Sequence, residues 1–228
     1  MKNKSKLFKL SFAGIFAALS YISTHVIYIT VAGFLTYDVK DALITVCSMI
    51  VGPIYGIAVS LIVSFIELIT VSGTGFWGFL MNFISSAVFA ATASFIYKLS
   101  GKLSGAFIGL GTSVVATTVV MVLMNIVITP IYINQPREAV LSLIPSVLLP
   151  FNLTKAVLNA GLVLAIYKPL ITALRSAKLL PASKSRNTDD RVNSFWNTKT
   201  LLVIVVAAVL ITASIAYMVF GLGASFGS

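Results

Sequence analysis

The sequence predicts an all-α fold. It reads as a polytopic transmembrane helix bundle, with six helices in residues 1–178, a polar linker at 179–198 and a seventh span in 199–228. Three observations carry this expectation. Hydrophobic residues make up 58% of the chain and charged residues 10%, with a mean hydropathy of +1.03; soluble domains carry about 25% charged residues. Several runs reach the roughly 20 apolar residues that a membrane-crossing helix needs, while period-2 alternation is too weak for an outer-membrane barrel. The basic residues are also segregated. Thirteen of the 16 Lys and Arg fall around the start of the first span, between two later spans at Lys98 and Lys102, or from Lys168 onward, at and beyond the end of the run that carries Lys155. Only Lys40 and Arg137 fall in the alternate loops, and Lys155 lies inside an apolar run. This is the positive-inside pattern, and it puts the N-terminus in the cytoplasm. It also accounts for the net charge of +10 without nucleic acid.

The first span is expected at about Phe8–Thr30. A basic stretch precedes it, as in a signal peptide, but the run is long and lacks a small-x-small cleavage site, so it reads as a retained helix. Its Ala13-Gly14-Ile15-Phe16-Ala17-Ala18 forms a small-xxx-small face, suited to packing within the bundle or to docking a separate membrane subunit. Val31–Asp41 reads as an external loop that folds back over the bundle mouth. Ala42–Val51 is a short apolar segment. Gly52-Pro53 breaks it and makes a tight cytoplasmic hairpin into the next span, Ile54–Val71. Ser72-Gly73-Thr74-Gly75 is a flexible external turn, and Trp77 opens a span running to Tyr97. The fifth span covers about Ser104–Ile128, with Ile133–Ala139 as an external loop. The sixth begins after Pro145 and contains Pro150, which frees the carbonyl of Ser146 and bends the helix. Broken helices at membrane depth tend to line cavities. Thr200–Phe220 is apolar throughout and would put the C-terminus outside.

Several chemistries are absent from the sequence. There is no G-x-x-x-x-G-K-[ST], so ATP energy would have to come from a partner, and no H-E-x-x-H. Cys47 is the single cysteine and His25 the single histidine, so neither an intrachain disulfide nor a Cys- or His-rich metal site can form. An intramembrane hydrolase would need His25 beside a nucleophile, and no G-x-S-x-G accompanies it. His25 instead reads as an interfacial or pocket-rim residue.

Lys155 is the most informative residue. A charge at mid-membrane depth costs ~2.5–3.5 kcal/mol on insertion scales, and such groups normally face a cavity, a partner or a ligand. Asn152 and Asn159, three residues before it and four after, share its helix face. Asn125 falls in the external half of the fifth span. Glu67, Gly75 and the segment Leu35-Thr36-Tyr37-Asp38 lie on the same external side. Phe34, Phe76, Trp77 and Phe151 supply aromatic walls nearby. Glu67 reads either as an interfacial carboxylate or as a polar wall of the pocket. Apolar walls with a few amides and one cation suit a flat, mostly uncharged ligand with carbonyls, ring nitrogens or hydroxyls at its edge. Spacing alone does not name it.

These residues resemble a known family. The external loop after the first span, the Gly52-Pro53 hairpin and Ala13-x-x-x-Ala17 look like the substrate-binding S component of energy-coupling factor (ECF) vitamin transporters. Leu35-Thr-Tyr-Asp38, Gly52-Pro-Ile-Tyr-Gly56, Met124-Asn125 with Pro130-Ile-Tyr132, and Pro150-Phe-Asn-Leu-Thr-Lys155 look most like the riboflavin-specific branch. The resemblance covers roughly residues 8–175. It implies a prokaryotic cell-membrane subunit, not an enzyme, that captures riboflavin with high affinity near the outer surface. It implies no cofactor, and partners in the form of a transmembrane coupling subunit and two ATPases. By motif position, Asn125, Asn152 and Lys155 would hydrogen-bond riboflavin, the Leu35–Asp38 segment would close over it, and Ala13 and Ala17 would lie on the docking face. FMN, roseoflavin or another vitamin are the alternative ligands, and an intramembrane enzyme the alternative class. The seventh span and Glu67 lie outside the family pattern.

Overall fold

The computed structural model describes residues 2–26, 28–31, 35–71, 73–101, 103–180, 198–223 and 225–226. Helix α1 (Lys2–Val26) rises to a hairpin of β1 (Tyr28–Val31) and β2 (Leu35–Asp38). Helices α2 (Lys40–Val51), α3 (Pro53–Thr70), α4 (Gly75–Ser100) and α5 (Leu103–Ile133) follow. The short α6 (Arg137–Leu143) leads through a π-helical turn (Ile144–Leu148) into α7 (Leu149–Ser176). Helix α8 (Thr198–Ala216) ends in a second π turn (Tyr217–Gly221), and β3 (Ser225–Phe226) comes last. Among the described residues six helical stretches are long and apolar enough to cross a membrane: Lys6–Val26, Pro53–Thr70, Gly75–Ser100, Leu103–Ile131, Arg137–Ser176 and Leu201–Gly221. The 12-residue α2 is too short to be one of these and is largely buried among them. The chain is thus an all-α, multi-pass membrane bundle.

Local chemistry explains the boundaries. Gly52 sits at φ 117°, a conformation that L side chains rarely adopt, and serves α2 and α3 at once. Pro53 follows at the first helical position, where its missing N–H costs nothing. The sequence reading needs correction in three places. The first helix stops at Val26, and Tyr28–Val31 pairs antiparallel with Leu35–Asp38 instead of continuing the span. Helix α5 runs through Pro130 to Ile133, since one lost backbone bond near a helix end does not stop it. The segment after it is helical from Arg137, not from beyond Pro145. The π turn absorbs the two prolines: Leu149 N–H bonds the carbonyl of Ile144, five residues back, so the ladder is widened just before Pro150.

The main core lies between α1, α2, α3, α4, α5, α7 and α8. It is rich in small residues, among them Ala42, Ala90, Ala93, Ala106, Ala156, Ala160 and Ala207, which let membrane helices approach closely. Gly161 shows how closely α8 docks on α7. A Cβ there would lie 3.1 Å from Ile211, 3.2 Å from Leu210 and 3.3 Å from the Ala207 carbonyl. Large apolar side chains such as Ile15, Phe65, Val119 and Val127 face outward, as suits a lipid-facing surface. A second cluster packs the hairpin residues Ile29, Val31, Leu35 and Tyr37 on Val140, Leu148, Phe151 and Leu158, with Met218 from the end of α8. Strand β3 adds to the free edge of β1, giving the order β2-β1-β3. The seventh span is therefore tied to the hairpin at its far end, which its uniform apolar sequence did not suggest. Most of the expected linker, 181–197, lies outside the described residues.

Candidate functional site

The hairpin, the start of α2, the end of α3, the start of α4, the end of α5 and the start of α7 meet at one end of the bundle. They enclose a cavity of about 610 Å³. That lies within the roughly 300–1,000 Å³ usual for small-molecule sites. Seven residues singled out from sequence line it: Leu35, Thr36, Asp38, Glu67, Asn125, Asn152 and Lys155. Tyr37 and Gly75 do not line it. Tyr37 is turned into the packing beneath the hairpin, and Gly73 and Thr74 face the cavity next to Gly75. Phe151 contributes an aromatic wall; Phe34 lies outside the described residues.

The charged groups form two linked clusters. Lys40 is only 2% exposed, and its Nζ donates to both oxygens of Glu67, at 2.8 and 2.7 Å, with Asp38 Oδ2 at 3.4 Å. Asn82 donates to the same carboxylate at 3.4 Å. Asp38 Oδ1 also accepts the backbone N–H of Lys40 at 3.1 Å, satisfying one orphan donor at the start of α2. In the second cluster, Lys155 Nζ lies 3.6 Å from Asp41 Oδ2. Ser86 donates its hydroxyl to Asp41, and Asn159 donates its amide to it at 3.5 Å. Tyr37 donates its phenol to Asn159 Oδ1 at 3.2 Å. In the hairpin, burial would raise the Asp38 carboxyl, but Lys40 and Lys155 outweigh it and hold that group below the usual carboxylate range. Burial, then the Asp38 and Asp41 carboxylates, push the Tyr37 phenol up.

The amides keep capacity for a ligand. Asn125 donates to the Met121 carbonyl at 2.7 Å and accepts from Thr129 at 2.7 Å. Asn152 donates to the Leu148 carbonyl at 2.7 Å. An amide has two donors and two acceptor lone pairs, so each side chain is fixed in orientation with hydrogen-bonding sites left over. Both lysines are buried against carboxylates: Asp38, Lys40, Glu67 and Lys155 line the cavity, and Asp41 pairs with Lys155 from behind the lining, so neither cation is left to neutralise an anion. It suits a neutral ligand with polar edges better than an anion.

Two sequence expectations change here. Lys40, counted among the external loop cations, is a buried partner of Glu67. Lys155 has a carboxylate partner in Asp41, at the start of α2. Of the two sequence readings of Glu67, the structure has it at the cavity wall, where it also holds Lys40. The clustering of Asp38, Lys40 and Asp41 beside a short apolar segment was the available signal. The docking face also needs correction. Ala13 is part of the chain's own core and Ala17 packs against it, whereas Gly14 and Ala18 are exposed on the other side of α1. His25 is exposed and meets Tyr21 edge-on at 4.9 Å.

Fold and site together define a multi-pass helical membrane protein with a polar cavity at one end of its bundle. The sequence model of the family described as "ECF transporter, substrate-specific component" matches residues 8–167, and the chain belongs to that family. The riboflavin transporter FmnP of Bacillus subtilis (strain 168) is 27% identical over 159 residues, which are 64% of this chain and 83% of that protein. A solved S component of a bacterial ECF transporter is similar in fold. Its TM-score is 0.65 at 24% identity, over 77% of this chain and 99% of the other.

Proposed function

We propose that this chain captures riboflavin in the cavity beneath the hairpin and delivers it for ATP-driven uptake by an ECF coupling module. The observation that carries the reading is the convergence of Asn125, Asn152 and Lys155 on one cavity roofed by Leu35, Thr36 and Asp38. Family membership and the similarity to a riboflavin transporter support it. The isoalloxazine ring would stack along Phe151, with its carbonyls and ring nitrogens meeting the amides and Lys155. Glu67 would wall the cavity while holding Lys40. Tyr37 would act as a positioning residue through Asn159, and Gly75 through the turn that lines the rim. The chain would work without a cofactor and without covalent chemistry. The basic end would face the cytoplasm of a prokaryotic cell and the cavity the outside. A coupling subunit and two ATPases would complete the transporter, meeting α1 on the turn that carries Ala13 and Ala17, at its exposed Gly14 and Ala18. Protein purified from riboflavin-supplemented cells should show flavin absorbance bands. Folded protein with no flavin band, and none after incubation with riboflavin, would exclude the vitamin.

A further inference from the structure

A second cavity, of about 220 Å³, lies at the opposite end of the bundle. Ala106 and Leu110 of α5, Val163 of α7 and Val203 of α8 are among its apolar walls. Lys168 and Arg175 of α7 stand on its rim, the first half-buried and the second exposed. They are seven residues apart, so they share a helix face two turns, or about 10 Å, apart. Arg175 is 20 residues beyond Lys155 on the same helix, about 30 Å along its axis, which is the thickness of a hydrocarbon core. The rim thus sits at one membrane interface when the riboflavin cavity sits at the other.

We propose that this cavity binds an anionic glycerophospholipid from the leaflet at the basic end. One acyl chain enters between α5, α7 and α8, and the phosphate is held by Lys168 and Arg175. The walls give water few partners, and a bilayer offers chains to fill an apolar slot. The volume is below that of a drug-sized ligand site, and a docking helix is about 10–12 Å across, so an unbranched chain fits best. Basic pockets between membrane helices select anionic headgroups. Val203 closes one wall, so the helix outside the six-helix core helps to build the site, which is independent of the riboflavin reading.

The test is native mass spectrometry of the full chain in detergent, titrated with palmitoyl-oleoyl phosphatidylglycerol, the matching phosphatidylcholine, and glycerol 3-phosphate. Phosphatidylglycerol should be retained preferentially. Lys168→Gln with Arg175→Gln should weaken it about 25-fold, about fivefold for each cation, without changing phosphatidylcholine retention. Ala106→Leu, which narrows the slot, should also lower phosphatidylglycerol retention, and both variants should still bind riboflavin. Equal retention of the two lipids, or undiminished phosphatidylglycerol binding in either variant, would overturn the proposal. Glycerol 3-phosphate bound as tightly as the lipid would reduce the site to a phosphate site.

Discussion

Replacing Lys155 by Met separates ligand binding from electrostatic packing. The substitution keeps an unbranched side chain of similar length and removes the ammonium. A hydrogen bond from a charged group contributes about 1.5–3 kcal/mol, so riboflavin affinity should fall roughly 10- to 150-fold. Stability should fall as well, because Asp41 loses a cation 3.6 Å away. Breaking a buried pair costs about 3–5 kcal/mol. Asp41 keeps the Ser86 hydroxyl and the Asn159 amide, which puts the loss near the lower end of that range. Adding Asp41→Asn should restore most of the stability, since the orphaned charge is gone, and little of the affinity. The assay is quenching of riboflavin fluorescence, alongside thermal unfolding of the same samples. Unchanged affinity in the folded single variant would refute a ligand-contacting role for Lys155. Full recovery of affinity in the double variant would reduce Lys155 to a counter-ion for Asp41.

Three further outcomes follow from the geometry. Lys40→Met should lower stability by about 3–5 kcal/mol, because Glu67 and Asp38 remain buried without their shared cation; adding Glu67→Gln should recover part of the loss in thermal unfolding. FMN should compete with riboflavin at least about tenfold more weakly in a displacement titration. Its phosphate would enter a cavity whose two lysines already face three carboxylates, and like-charge contacts are costly. Gly161→Leu should cost about 1–3 kcal/mol by overpacking, since Ala207, Leu210 and Ile211 already lie within contact of a Cβ at that position. Its unfolding midpoint should drop accordingly, and an unchanged midpoint would mean that α8 is not held there.

The apolar runs and the segregated Lys and Arg made the bundle legible in the sequence, and Lys155 with Asn152 made one wall of the site legible. Both rest on local signals, namely helix length, helical spacing and the cost of a charge in hydrocarbon. What escaped depends on contacts between distant segments. Lys40 and Glu67 are 27 residues apart and Asp41 and Lys155 farther still, and nothing in either segment alone specifies its partner. The hairpin was missed because Tyr28–Val31 continues the apolar run of α1, so hydropathy gives no mark where helix becomes strand. The π turn was missed because prolines announce a break in the ladder and not how neighbouring residues absorb it.

Equilibrium titration of ligand-free, detergent-purified protein with riboflavin is the most direct test of the central claim. Capture of riboflavin beneath the hairpin requires saturable one-to-one quenching of flavin fluorescence that weakens when Asn152 or Lys155 is replaced. Absence of saturable quenching by protein whose unfolding transition is intact would contradict it.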